Sequence, residues 1–171
     1  PASMSALPSG AKIRRTSEPE GTDLIGPLIE GAGTTCATMS TDDNNGAMRN
    51  HAQFLDHYLK RGVTSFRHST PPELFENILQ RCRGVDTLII GNHGFAGIAG
   101  PLDISNAELL ARAIRVSGIK RVIFASCETG ADLVGEEFLT EVARLSGAAA
   151  IAWNRKLLMD PIAGAQIQFS G

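Results

Sequence analysis

The sequence is poor in net charge, in long apolar runs and in cysteine, and each shortage argues against a class of protein. Its 171 residues include 16 basic and 18 acidic side chains, and the formal charge of −2 gives no sign of a nucleic-acid partner or an anionic membrane surface. No apolar run approaches the ~20 residues that a membrane-spanning helix needs. The N-terminus has no apolar segment typical of a signal peptide, although a chain that begins at Pro1 leaves an upstream signal open. We therefore expect a globular protein that binds neither nucleic acid nor membranes.

Cysteine occurs only three times, as Cys36, Cys82 and Cys127. The number is odd, and the spacings match no zinc-binding or disulfide pattern. Reduced thiols in the cytoplasm are therefore expected, and neither a metal ion nor an organic cofactor is predicted. A secreted effector or a fragment of a toxin is the alternative setting.

The sequence does contain a regular alternation of strand and helix patterns over residues 34–153. Short apolar or β-branched runs predict five strands, at residues 34–39, 63–68, 87–90, 121–126 and 148–153. Apolar residues at helical spacing predict helices between them, at residues 47–61, 71–82, 106–116 and 135–145. The alternation predicts an α/β protein: a three-layer α/β/α sandwich around a mostly parallel sheet, with strand order 2-1-3-4-5.

The regions that flank this alternation are expected to be less regular. Residues 1–22 are rich in Ser, Pro, Gly and charge, and they are predicted to be a flexible lead-in to a domain at residues 23–171. Residues 154–171 are predicted to be loop-like, with a short strand at 166–169. Capping boxes at Thr70–Glu73 and Ser105–Glu108 mark two of the helix starts.

A histidine and a cysteine follow two neighbouring strands of the predicted sheet. His93 follows the third predicted strand after Gly91 and Asn92, and Cys127 comes directly after the fourth. Because the carboxyl ends of parallel strands meet at one edge of a sheet, we expect the two side chains to lie close together. A thiol and an imidazole in such an arrangement can act as a nucleophile and its acid/base partner. Of the four histidines, only His93 both ends a predicted core strand and precedes a glycine.

Glycine recurs at every third position after the third strand, as Gly91, Gly94, Gly97 and Gly100. A glycine-rich loop can bind phosphate, but a dinucleotide or P-loop motif would run directly into a helix. Here Pro101 and the residues after it intervene, and no Gly-Lys-Ser/Thr follows. Nucleotide binding is therefore the less favoured interpretation.

At these residues the sequence resembles the clan CD cysteine peptidases, among them caspases, legumain, clostripain and gingipain. Their signature is an apolar strand followed by His-Gly, then a second apolar strand followed by Ala/Ser-Cys. Here these are the segments Leu88–Gly94 and Val122–Cys127, and Glu128-Thr129-Gly130 is close to the legumain form. The resemblance covers residues 34–153 and includes bacterial caspase-like proteins. It implies a caspase-like peptidase domain at 23–171 that acts on polypeptides and is able to process itself.

The resemblance also implies roles for single residues. Cys127 would attack the scissile carbonyl as a thiolate, and His93 would protonate the leaving amine. The backbone N–H groups of Gly94 and Cys127 would form the oxyanion hole, where a glycine lets the substrate carbonyl approach the main chain.

Specificity in this family depends on the residue before the scissile bond, in a pocket built by loops after the first, third and fifth strands. The corresponding positions here include Asp42 and Asp43, and further on Trp153 and Asp160. An acidic pocket would favour cleavage after Arg or Lys, because Coulomb attraction strengthens as water is excluded. The segment at residues 12–15, Lys-Ile-Arg-Arg, would then be a candidate self-cleavage site. Alternatively, the acids are solvated turn residues.

Two further classes of function stay open at this point. One is a catalytically inactive caspase-like scaffold that binds partners through the same groove. The other is a different α/β ligand-binding or hydrolytic domain. A thiol-reactive peptide probe separates the first of these from a peptidase, and a stabilising phosphate ligand would indicate the second.

Overall fold

The computed structural model describes residues 13–16, 34–41, 63–154, 156–160 and 166–170. Its strands are β1 (Ile13–Thr16), β2 (Thr35–Ser40), β3 (Thr64–His68), β4 (Thr87–Gly91), β5 (Gly94–Phe95), β6 (Ile98–Ala99), β7 (Arg121–Ala125), β8 (Ala149–Trp153), β9 (Lys156–Asp160) and β10 (Gln166–Ser170). Its helices are α1 (Pro71–Arg81), α2 (Ala107–Val116) and α3 (Asp132–Ser146).

A six-stranded parallel sheet in the order β3-β2-β4-β7-β8-β1 forms the centre of the molecule. Five of these strands are the predicted ones, and their order 2-1-3-4-5 is confirmed. The sixth, β1, pairs with the outer side of β8, from Ile13 opposite Ala150 to Thr16 opposite Trp153. It lies within the predicted lead-in of residues 1–22, where a four-residue strand between polar segments leaves too little periodicity to predict it.

Both faces of the sheet are buried along β2, β4, β7 and β8, as the mainly apolar character of these strands requires. Leu88 and Val122 belong to a core shared with all three described helices. Ile89 and Ile123 alternate with them along the strands and are also completely buried, on the opposite face. The predicted three-layer α/β/α class is therefore confirmed. The helix predicted at 47–61 lies outside the described residues.

The helix starts agree with the sequence prediction only in part. Thr70 caps α1 as predicted, since its hydroxyl accepts a hydrogen bond from the N–H of Glu73 at 3.3 Å. The capping box predicted at Ser105–Glu108 is wrong: α2 begins at Ala107, with no side-chain cap. The backbone N–H and the hydroxyl of Ser105 instead bond to the carboxylate of Asp103. A local turn has thus replaced the helix cap, as short polar side chains often allow.

Cys36 and Cys82 form a disulfide, which corrects the expectation of three reduced thiols. It joins β2 to the end of α1 across 46 residues of sequence, with the two Cα atoms 5.6 Å apart. Spacing along the chain does not reveal such a pair, because the fold of the parallel sheet brings it together. Cys127 is the one cysteine outside the disulfide.

The last described segments form an antiparallel hairpin of β9 and β10. The predicted strand at 166–169 corresponds to β10, whereas β9 occupies a region predicted to be loop-like. No helix among the residues that the structure describes is long and apolar enough to cross a membrane.

Candidate active site

His93 and Cys127 occupy equivalent positions beyond two paired strands. Gly91 on β4 is in register with Ala125 on β7, and each functional residue follows its strand end by the same two positions. The pairing continues past the strand ends, since the Asn92 N–H donates to the Ala125 carbonyl at 3.3 Å. The two loops therefore leave the sheet side by side, as the sequence predicts. Both residues are partly exposed, although the Nε2 atom of His93 is itself buried.

Gly94, the residue after His93, lies directly against the backbone of residues 126–131, the loop that carries Cys127 (the cysteine loop). A Cβ atom built on Gly94 would be 2.6 Å from the carbonyl oxygen of Cys127 and 2.6 Å from Oγ1 of Thr129. Real Cβ atoms do not approach other atoms this closely, so only glycine fits without a shift of the backbone. This contact shows that the segment between β4 and β5 that carries His93 (the histidine loop) meets the cysteine loop.

A small hairpin of β5 and β6 follows His93, and Thr129 joins it to the cysteine loop by hydrogen bonds. The Thr129 hydroxyl donates to the Ile98 carbonyl at 2.8 Å, and the Thr129 carbonyl accepts from the Gly97 N–H at 2.9 Å. The same hydroxyl is 2.5 Å from Oγ of Ser126, the residue before Cys127. Thr129 is completely buried, so these bonds are shielded from water.

The backbone just after Cys127 adopts a conformation that side chains rarely tolerate. Glu128 has a φ of 56°, and Asp132 at the start of α3 has a φ of 58°. A non-glycine residue in this left-handed region costs on the order of 1–3 kcal/mol, and such residues are concentrated at functional sites. The neighbouring contacts hold the loop in place: the Gly130 N–H donates to the Trp153 carbonyl and that of Ala131 to the Glu128 carbonyl, at 2.9 and 2.8 Å.

The predicted substrate-binding residues are not brought together by the described part of the chain. Asp42 and Asp43 lie outside the described residues. Asp160 is the last residue of β9, which is described as backbone only. Trp153 ends β8, but its side chain is completely buried, so in this conformation the indole does not line an accessible pocket. The acidic specificity pocket stays a prediction.

A buried polar cluster beside His93 was not predicted from the sequence. His68, at the end of β3, has its Nδ1 atom 2.6 Å from the hydroxyl of Thr38 and its Nε2 atom 3.0 Å from Oδ1 of Asn92. Burial lowers the pKa of His68 below its ordinary value of 6.5, against the opposing effects of the Asn92 hydrogen bond and the charge of Glu73. The one available signal was that His68, like His93, ends a predicted strand at the same sheet edge.

The chemistry of the site is that of a thiol and an imidazole. Among the described residues, no group of three or more His, Cys, Asp or Glu side chains could hold a metal ion.

The outer face of the β5–β6 hairpin is apolar, with the cross-strand neighbours Phe95 and Ile98 both exposed.

No protein-family model, curated protein or solved structure matches this chain. The assignment of function therefore depends on the geometry of the site.

Proposed function

We propose that this protein is a cysteine endopeptidase of the clan CD type, with Cys127 as nucleophile and His93 as acid/base partner. The observation that supports the proposal most directly is the close approach of Gly94 to the Cys127 carbonyl oxygen, because it joins the two predicted motif loops in one site. The equal offset of His93 and Cys127 from the paired residues Gly91 and Ala125 adds to it.

In the proposed reaction the Cys127 thiolate attacks the scissile carbonyl, and the carbonyl π electrons move onto the oxygen. Collapse of this tetrahedral species expels the amine, which takes a proton from His93, and leaves an acyl group on sulfur. Water activated by His93 then hydrolyses the thioester and regenerates the thiol. An unperturbed thiol has a pKa near 8.5, so His93 and the surroundings would raise the reactive fraction at neutral pH.

The oxyanion would be stabilised by backbone N–H groups of Gly94 and Cys127. Such a hole needs donors that are held in place before the substrate arrives, since removal of one donor typically costs ~10²–10³ in turnover. The hydrogen bonds of Thr129 supply this rigidity, because they hold the hairpin that begins at Gly94 against the cysteine loop.

The substrate would be a polypeptide. Cleavage after Arg or Lys is the specificity that Asp42, Asp43 and Asp160 would favour, and self-processing within residues 12–15 is part of the same proposal. A digest of a peptide library, read by mass spectrometry, tests it. Cleavage after Asp, Asn or Leu would contradict the basic specificity without affecting the peptidase assignment.

The disulfide bears on where the protein acts. Disulfides persist in oxidising compartments and are rare in the cytoplasm. The Cys36–Cys82 pair therefore favours the secreted alternative over the cytoplasmic setting that the odd number of cysteines suggested. A nucleophilic thiol is compatible with this setting because the other two cysteines of the sequence, Cys36 and Cys82, are already joined to each other.

The decisive experiment compares the wild-type protein with Cys127→Ala and His93→Ala on the same peptide library. We expect both variants to stay folded by circular dichroism and to lose turnover by at least ~10³-fold, because each removes a reacting group. Iodoacetamide should label only Cys127 in the folded, unreduced wild type. His51→Ala and His57→Ala serve as controls that keep activity. Wild-type protein that is folded and labelled but cleaves no peptide would instead support the inactive scaffold.

A further inference from the structure

The buried cluster of Thr38, His68 and Asn92 connects three strands at the edge of the sheet where the candidate site lies. Thr38 belongs to β2, His68 ends β3, and Asn92 directly follows β4. The imidazole of His68 therefore reaches across the end of β2, the strand between β3 and β4, to a residue beside His93. Thr38 and His68 are completely buried, and Asn92 is 4% exposed.

Both hydrogen-bond contacts of the imidazole are explained by one uncharged tautomer. In it the Nε2–H of His68 donates to Oδ1 of Asn92, and Nδ1 accepts the hydroxyl proton of Thr38. A charged imidazolium would carry a proton on Nδ1 as well, and its burial without a carboxylate in contact would be unfavourable. Among the described residues, the charged group that interacts electrostatically with His68 is the carboxylate of Glu73, on α1.

Asn92 is held from several directions, and His68 supplies the bond that orients its side chain. None of the described residues accepts a hydrogen bond from the Asn92 amide nitrogen, so the bond to His68 determines which way the amide faces. Gly100 lies against the same side chain, since a Cβ built there would be 2.8 Å from Cγ of Asn92. The Gly100 N–H donates to the His93 carbonyl at 2.5 Å.

We propose that His68 is a positioning residue for the peptidase site: through Asn92, it fixes the backbone that carries His93 opposite the cysteine loop. The inference rests on the proposed function. It gives His68 no contact with substrate and no part in proton transfer. Its effect is to hold the acid/base residue at the distance from Cys127 that catalysis requires, and a displacement of ~1 Å can reduce turnover by ~10².

Three variants test the proposal. His68→Leu removes both hydrogen bonds at similar volume, Asn92→Ala removes the other end of the link, and His68→Gln can keep a donor to Asn92 but cannot take up a proton. We expect His68→Leu and Asn92→Ala to lower kcat by ~10- to 100-fold with little change in KM. The double variant should be no worse than either single one, because both break the same link. His68→Gln should restore most of kcat and remove the contribution of His68 to the low-pH limb of the kcat profile.

Nuclear magnetic resonance gives a second readout that does not need turnover. The ¹⁵N shifts of His68 should show the Nε2–H tautomer at pH 7, and His68→Leu should speed amide exchange at His93, Gly94 and Gly100. Multiplicative losses in the double variant, full activity in folded His68→Leu, or an Nδ1–H tautomer would each overturn the proposal. If the wild type shows no cleavage that depends on Cys127, the proposed function fails, and unchanged amide exchange in His68→Leu would show that the positioning role fails independently.

Discussion

At the scale of single residues, the absence of a side chain at Gly94 matters as much to the candidate site as the two side chains proposed to react. The loops that carry His93 and Cys127 can touch because nothing projects from Gly94 toward the Cys127 carbonyl oxygen. The neighbouring atoms include backbone, which cannot rotate away as a flexible side chain could. A single methyl group should therefore separate the histidine loop from the cysteine loop.

We predict that Gly94→Ala lowers kcat by ~10²-fold or more, because it displaces a proposed oxyanion donor. The matched control is Gly84→Ala. Gly84 has a φ of 80° and open space around its Cβ position, so the substitution strains the backbone without a clash. The control should lose about 1 kcal/mol of stability and keep its kcat. Equal kcat values for the two variants would contradict the tight contact at Gly94.

Stability should also depend on pH through His68. Its pKa in the folded protein is lower than the ordinary value of 6.5, so the unfolded chain binds the proton more readily. The stabilising contribution of the neutral side chain is complete above about pH 6.5 and is lost as the pH falls from there toward the folded pKa. Urea unfolding across this range should show the loss in the wild type and a smaller one in His68→Gln. Identical pH dependence of the unfolding free energy in the two proteins would contradict a lowered pKa of His68 in the folded state.

At the scale of elements, Thr129 joins the β5–β6 hairpin to the loop between β7 and α3. Thr129→Val keeps the shape but leaves the Ile98 carbonyl without the hydroxyl donor, so we predict a loss of about 1–3 kcal/mol in unfolding free energy together with reduced kcat. Thr140→Val is the control, since Oγ1 of Thr140 is buried with no hydrogen-bond partner among the described residues. It should be neutral or stabilising. A similar loss in both variants would show that packing, not the hydrogen bond, is responsible.

The extent to which the fold and the candidate site can be predicted from the sequence also differs between elements. The strands β4 and β7 are continuous apolar runs that end in polar residues, so periodicity and the rules of parallel sheets predict their order and the side-by-side position of the loops that carry His93 and Cys127. The link from His68 to Asn92 spans three strands, and no local pattern encodes it. The predicted start of α2 is wrong because Asp103 competes for the polar groups of Ser105 that a capping box would use.

At the scale of the whole molecule, the disulfide of Cys36 and Cys82 closes a long loop between β2 and the end of α1. Cross-linking lowers the entropy of the unfolded chain, and for a loop of 46 residues the stabilisation is about 4 kcal/mol. We predict that a Cys36→Ala/Cys82→Ala variant, made on a Cys127→Ala background to prevent self-cleavage, loses about this amount in urea unfolding. Unchanged stability of the single Cys127→Ala protein after complete reduction would contradict the role of the disulfide.

The pairing of the edge strand β1 with β8 would limit when the proposed self-processing can occur. Cleavage after Arg14 or Arg15 would take place inside a strand that is hydrogen-bonded to β8, and a bond held in a sheet cannot enter a groove until its strand detaches. Local opening of these four residues would then limit the rate, so dilute urea should accelerate self-cleavage while it leaves cleavage of short added peptides unchanged or slower. Each processed molecule would expose the edge of β8, which could then pair with a strand from another chain.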